Sequence, residues 1–116
     1  MTQLEIVPTV QDRFSHILSA INTVQAELYE CSAEELANNR VLWLALERLL
    51  EIISVASDHI PAEIKASEAK VDWNSLAGIG ARLEDARSRI EPETLLSIAR
   101  EKLAPLKICA EQRVRI

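Results

Sequence analysis

Few side chains of this sequence have the types and spacing that chemistry requires. The two histidines, His16 and His59, lie far apart in the chain, and neither stands in an HExxH pattern. The sequence contains no GxSxG motif and no phosphate-binding glycine loop. Cys31 and Cys109 have neither CxxC nor histidine spacing. The sequence therefore predicts no metal site, no disulfide framework and no cofactor.

The densest group of charged residues lies between positions 82 and 89. Arg82, Arg87 and Arg89 are candidate phosphate-binding side chains, because arginine pairs well with phosphate oxygens. Glu84 and Asp85 are interleaved with them and weaken this interpretation. At helical spacing, Arg82 can pair with Asp85, Glu84 with Arg87, and Asp85 with Arg89, each for about 0.2–0.5 kcal/mol. Ordinary ion pairs on a helix surface are the interpretation that the pattern favours.

The net charge of −5 is unevenly distributed along the 116 residues. Residues 1–79 carry 5 basic and 12 acidic side chains, whereas residues 80–116 carry 8 and 6. An acidic body is not typical of a nucleic-acid-binding protein, but the C-terminal segment offers a local basic group: Arg100, Lys102, Lys107, Arg113 and Arg115. The first residues lack a signal-peptide pattern and no apolar run is long enough to span a membrane, so we expect a cytoplasmic protein.

The pattern of apolar residues predicts an all-α fold, a bundle of four to five helices in one domain covering residues 1–116. Only 2 glycines and 4 prolines interrupt the chain, and straight-chain helix formers dominate it. Thr9, Ser32 and Asp72 are the predicted N-caps, and Pro61 and Pro92 fit first helical positions. The predicted helices cover residues 10–28, 33–60 with a bend near Asn38 and Asn39, 61–66, 71–90, and 92 to about 112 with a bend at Pro105.

His16 and His59 have structural interpretations in this scheme. His16 stands one position before the apolar residue Ile17, so we expect it at the edge of the core, with a catalytic role as the less favoured alternative. His59 follows Asp58 near the end of a helix, where it can interact with the helix dipole. Gly78 and Gly80 lie inside the helix predicted for 71–90, and we expect close helix packing at Gly78 and a kink near Gly80.

The stretch VDWNSLAGIGARLEDARSRI, residues 71–90, resembles the active-site segment of the HepT-like branch of the HEPN ribonucleases, which has the form W-x-x-I-A-G-M-R-N-x-L-x-H-x-Y. Trp73, Leu83 and the run at 76–79 match its packing positions. The string DRFSHILSAI at 12–21 is similar to the opening helix of these proteins, and L-P-x-L around Pro105 is similar to another common segment. The resemblance covers residues 12–112 and implies a HEPN/HepT-like bundle.

All four signature side chains of that segment are replaced in this chain. The family's arginine falls on Gly80, its asparagine on Ala81, its histidine on Asp85 and its tyrosine on Arg87. In the family, the histidine and arginine are thought to act on an RNA phosphodiester. A histidine titrates near neutral pH, whereas an aspartate is negatively charged there and repels phosphate. The resemblance therefore predicts the scaffold of a ribonuclease without its catalytic residues.

Three functions follow from this combination. The first is a catalytically inactive protein that acts by binding a partner. It would form a homodimer, as HEPN proteins usually do, and its partner would be a minimal nucleotidyltransferase antitoxin. The second is a toxin-type ribonuclease that cleaves RNA through displaced residues such as Arg82, Arg87 and His16. The third is a nucleic-acid binder that does not cleave and uses the basic C-terminal segment. Loss of the whole signature favours the first.

Overall fold

Three helices begin at the capping residues that the sequence predicts, Thr9, Ser32 and Asp72. The computed structural model describes residues 8–28, 30–85 and 90–114. Within these ranges no strand is present, which confirms the all-α prediction. The elements are α1 Val10–Glu27, α2 Ala33–Asn38, α3 Arg40–Asp58, α4 Ala62–Ser67, α5 Trp73–Glu84, α6 Pro92–Ser97, a π-helical segment Ile98–Lys102, and α7 Leu103–Val114.

The N-terminal ends of α1 and α2 are both closed by capping boxes. Thr9 Oγ1 accepts from the backbone N–H of Asp12 at 3.0 Å, and Asp12 Oδ2 accepts from the backbone N–H of Thr9 at 2.9 Å. Ser32 and Glu35 repeat this exchange at 3.0 and 3.3 Å. The hydrogen bonds from Thr9 lower the pKa of the Asp12 carboxyl. Both caps confirm the sequence prediction, and they satisfy backbone donors that would otherwise have no partner.

The predicted 33–60 helix is divided into α2 and α3 at Asn39. Asn39 has an extended backbone, with φ −126° and ψ 99°, and its Oδ1 accepts from the backbone N–H of Leu42 at 3.2 Å. The asparagine therefore ends α2 and caps α3, where the sequence predicted only a bend. Two other boundaries differ from the predictions. Pro61 precedes α4 as its N-cap, and α5 ends at Glu84 rather than continuing to Ile90.

Four long helical units form the bundle, because α6, the π-helical segment and α7 are continuous. Helix α1 packs against α3 and α7, α3 also packs against α5, and α2 contacts α3 and α6. The core contains the sole phenylalanine and an aliphatic majority: Phe14, Ile17, Ile21, Leu36, Leu46, Leu50, Ile53, Leu76, Leu95, Leu103 and Leu106 are almost completely buried. This arrangement confirms the predicted four- to five-helix bundle.

The π-helical segment accommodates Pro105. Proline has no backbone N–H, so the Glu101 carbonyl four residues earlier loses its normal helical donor. The π-helical segment Ile98–Lys102 lies immediately before this point, and α7 continues through Pro105. The sequence predicted a bend here, and the structure has a π-helical turn, one of the established causes of helix irregularity.

Candidate functional site

Helix α5 contains Gly80 and Ala81, the first two positions that the resemblance assigns to the signature, and Asp72 fixes its N-terminal end. Asp72 Oδ1 accepts from the backbone N–H of Ser75 at 3.1 Å, and Oδ2 accepts from Ser75 Oγ at 2.6 Å. Lys102 Nζ of the π-helical segment donates to the same Oδ2 at 3.2 Å. The hydrogen bonds from Ser75 and then the lysine lower the pKa of the Asp72 carboxyl. The cap of α5 is therefore also its link to the C-terminal helical unit.

Trp73 connects the start of α5 to the preceding loop. Its side chain is half-buried against the core, and its Nε1 donates to the Glu68 carbonyl oxygen at 3.2 Å. Lys65 Nζ lies 5.7 Å from the centre of the indole ring, within the range of a cation–π contact. One side of the indole is thus covered and its N–H is satisfied. This environment is that of a packing residue, as the sequence predicted.

We expect Trp73→Ala to lower the free energy of unfolding by about 2–3 kcal/mol, less than for a fully buried aromatic because Trp73 is half-buried. The Trp73→Phe control keeps a ring and loses the hydrogen bond to Glu68, so about 1 kcal/mol should be lost. Urea unfolding measures both values. Wild-type stability of Trp73→Ala together with loss of RNA binding would instead identify Trp73 as a stacking platform for bases.

The two glycines of α5 have opposite environments, and the close packing is at Gly80. A Cβ built on Gly80 would overlap Ser54 Oγ and lie 3.1 Å from Ser54 Cβ, whereas a Cβ on Gly78 would meet no atom within 4 Å. Gly78 is exposed. The prediction of close packing at Gly78 is therefore wrong. Gly80, which takes the place of the family's arginine, is the point where α5 approaches α3.

The remaining signature positions lie at the exposed end of α5. Ala81 and Asp85 are exposed, and Asp85 has an extended backbone that ends the helix. Arg87 lies outside the described residues. Gly80 faces α3 while Ala81 and Asp85 are exposed, so the described positions present only a methyl group and a carboxylate to solvent. Neither a histidine nor an arginine stands at these described positions.

The candidate phosphate-binding arginines are only partly described. Arg82 is exposed near the end of α5. Arg87 and Arg89 lie outside the described residues, as do the pairs predicted for them. The arginine cluster therefore stays a prediction.

A cleft of about 570 Å³ lies where α5 ends, between the start of α3 and the start of α6. The lining combines apolar and charged side chains: Ala37, Asn38, Arg40, Trp43, Glu47, Leu83, Asp85, Ile90, Glu91 and Pro92. Trp43 is half-buried in it. Sequence analysis missed this cleft, since only the tertiary fold brings Trp43 and Glu47 of α3 beside Asp85. The cleft contains no histidine or cysteine.

The two histidines are placed outside this cleft. His16 is exposed on α1, beside the fully buried Ile17. Nδ1 of His59 lies 2.8 Å from the Val55 carbonyl oxygen, so the ring N–H donates to one of the last carbonyl groups of α3. This contact confirms the predicted role of His59 at a helix C-terminus.

The basic residues of the C-terminal segment make contacts in different directions. Arg100 donates to the Cys31 carbonyl oxygen at 2.6 Å, Lys107 donates to Gln25 Oε1 at 2.6 Å, and Lys102 pairs with Asp72. Arg113 donates to Glu68 Oε1 at 3.1 Å. Arg115 lies outside the described residues. The four described side chains thus hold α1, the segment before α2 and the 68–72 loop against the C-terminal helical unit.

Neither cysteine is placed for metal or redox chemistry. Cys31 and Cys109 are buried free thiols. Burial raises the pKa of Cys31, with a smaller contribution from Glu35, and burial and Glu68 raise the pKa of Cys109 to about 11. Both thiols are therefore protonated and unreactive at neutral pH. The described part of the chain has no group of three or more potential metal-ligating side chains, and none of its helices could span a membrane.

Comparison with known proteins gives one match. The model of the family described as Ribonuclease HepT-like matches residues 17–113. Neither a curated protein nor a solved structure matches the chain. The matched range includes most of α1 and the whole of α5, which are the two segments that carry the sequence resemblance.

Proposed function

This chain belongs to the HepT-like ribonuclease family, and on that basis we propose that it is a catalytically inactive member that acts as a homodimeric interaction protein. The observation that carries the proposal is the replacement of all four signature side chains, at Gly80, Ala81, Asp85 and Arg87. The environment of Gly80 supports it. The helix–helix contact with Ser54 occupies the space that an arginine side chain would have to enter.

The partner that family membership favours is a minimal nucleotidyltransferase antitoxin. An adjacent reading frame for such a protein would support a toxin–antitoxin arrangement in which this chain keeps the binding surface and lacks the activity. The buried, protonated thiols Cys31 and Cys109 suit a reducing compartment such as the cytoplasm. The nucleic-acid binder is less favoured, because the described basic side chains of the C-terminal segment contact other parts of the protein.

Homodimerisation is supported by the solvent-facing side of α3. Val41, Leu44 and Val55 are 76%, 49% and 43% exposed, although α3 also contributes fully buried residues to the core. Exposed apolar residues grouped on one helix are typical of an association surface. A two-fold dimer is the commonest assembly of soluble proteins, and it would cover this side of α3 in both copies.

Sedimentation equilibrium at micromolar concentration should show a species of twice the 13.0 kDa chain mass. Leu44→Ala should weaken the dimer about tenfold, or about 1.4 kcal/mol, and leave unfolding of the monomer within about 0.5 kcal/mol of wild type. Leu46→Ala is the matched control, since Leu46 is fully buried two positions away and should cost about 2–5 kcal/mol of stability. A wild-type monomer at high micromolar loading would contradict the homodimer.

A further inference from the structure

The exposed side of α3 has a regular composition from one end to the other. We call the following residues the outer face of α3: Val41, Leu44, Ala45, Arg48, Glu51, Ile52 and Val55. At about 100° per residue they fall within a strip roughly 120° wide that is centred on Arg48. Ala45, Arg48 and Glu51 are exposed or half-exposed, and Ile52 is half-buried. The fourth exposed large apolar residue among those described, Ile108, lies apart on α7.

The large apolar residues of the outer face are arranged symmetrically about Arg48, whereas Ala45 is mirrored by Glu51. Val41 and Val55 stand seven positions before and after it, and Leu44 and Ile52 stand four positions before and after it. Valine is thus matched by valine, and leucine by its isomer isoleucine, at equal distances in both directions. In an antiparallel pair of identical helices, each residue lies level with the partner's residue at the same distance on the other side of the centre. A sequence that is symmetric about its centre therefore brings similar residues together in such a pair.

We propose that the outer face of α3 pairs antiparallel with the outer face of a second copy, across a two-fold axis perpendicular to the helix at Arg48. This inference rests on the homodimer of the proposed function and adds its surface and register. Val41 then lies level with the partner's Val55, and Leu44 lies level with the partner's Ile52. Each aliphatic side chain meets another of similar volume, as an isologous interface requires.

The charged residues at the centre of the outer face support the same register. Within one chain, Arg48 Nη1 donates to Glu51 Oε1 at 2.8 Å. In the antiparallel pair, Glu51 lies about 4.5 Å along the axis from the level of both its own Arg48 and the partner's Arg48. Each Arg48, level with the partner's Arg48, therefore has a glutamate of each chain within one helical turn. A parallel pair would place Glu51 level with the partner's Glu51, whereas in the antiparallel pair the two glutamates are about 9 Å apart along the axis.

A second copy fits this surface better than an unrelated protein does. The large aliphatic residues of the outer face match those of a reversed copy in size, and only an identical partner makes use of a reflected pattern. From Val41 to Val55 the contact is about 21 Å long. A single helix pair of this length buries less than a standard interface of about 800 Å² per partner, which agrees with association at micromolar rather than nanomolar concentration.

Disulfide trapping tests the register. Arg48→Cys should form a covalent dimer on oxidation, because packed helices 8–10 Å apart bring level Cα atoms within disulfide range. Val55→Cys alone should not, since each copy of residue 55 lies about 10.5 Å from the level of Arg48, on opposite sides of it, so the two copies are about 21 Å apart along the axis. A mixture of Val41→Cys and Val55→Cys chains should form the mixed dimer. Wild type, whose Cys31 and Cys109 are buried, is the control for background oxidation.

Charge exchange tests the polar centre without cysteine. Arg48→Glu and Glu51→Arg should each raise the dimer dissociation constant about tenfold or more, since each places like charges around the axis. Mixing the two variants should restore a heterodimer within about threefold of wild-type affinity. A dimer by sedimentation that forms none of these crosslinks, or crosslinks through Val55→Cys alone, would overturn the register and leave the homodimer standing. A wild-type monomer would overturn both.

Discussion

Purified wild-type protein is expected to cleave RNA no faster than the background rate. The sequence resemblance implies a mechanism that needs a proton-transferring histidine and an arginine against the phosphate, and it assigns their positions to Asp85 and Gly80. General acid–base catalysis contributes about 10²- to 10⁴-fold, and electrostatic stabilisation of the transition state contributes about as much again. An aspartate in place of the histidine supplies negative charge beside the phosphodiester, which opposes binding as well as reaction. The expected deficit is therefore several orders of magnitude.

The assay uses labelled RNA with the protein before and after a second purification, so that a contaminating nuclease is recognised by its loss. Arg82→Ala and His16→Ala serve as matched variants, because both residues are exposed and neither contributes to the core. Cleavage that persists through repurification, and that either variant abolishes, would contradict the inactive protein and establish the displaced-site ribonuclease in its place.

The parts of the fold that the sequence predicted correctly depend on short-range interactions. Thr9, Ser32 and Asp72 each accept a hydrogen bond from a backbone N–H three residues later, so the signal for each helix start lies within four positions of the sequence. The apolar stripe that contains Leu76 and Ile79 is likewise local, since helical periodicity alone assigns these residues to the core. The resemblance added the topology, which local patterns do not contain.

The predictions that failed depend on how helices pack together. Gly78 and Gly80 are two positions apart in one helix, and nothing in the local sequence indicates which of them meets Ser54. The sequence shows a weak helix former at Asn39. Whether the helix bends or ends there depends on whether the Asn39 side chain caps the next helix, as it does through the backbone N–H of Leu42. The cleft lined by Trp43 and Asp85 has the same origin, because it joins helix ends far apart in the sequence. Such features require the tertiary arrangement.

Gly80→Arg is expected to lower the free energy of unfolding by about 2–3 kcal/mol, because the new Cβ overlaps Ser54 Oγ at the contact between α5 and α3. Gly78→Arg is the matched control: the same change two residues away, at an exposed position with no atom within 4 Å of the added Cβ. It should raise stability by up to about 1 kcal/mol, since arginine is a far better helix former than glycine. Urea unfolding of the two variants gives the difference directly.

Ser54→Ala identifies the cause of the destabilisation. If the overlap with Ser54 Oγ is responsible, Ser54→Ala should recover at least 1 kcal/mol in the Gly80→Arg protein and change wild type much less, a coupling that a double-mutant cycle measures. Wild-type stability of Gly80→Arg, or no coupling to Ser54, would contradict this account. The cycle also bears on reactivation. Restoring the signature by Gly80→Arg, Ala81→Asn, Asp85→His and Arg87→Tyr forces an arginine into the contact between α5 and α3. A test of whether these changes restore RNA cleavage therefore has to include Ser54→Ala.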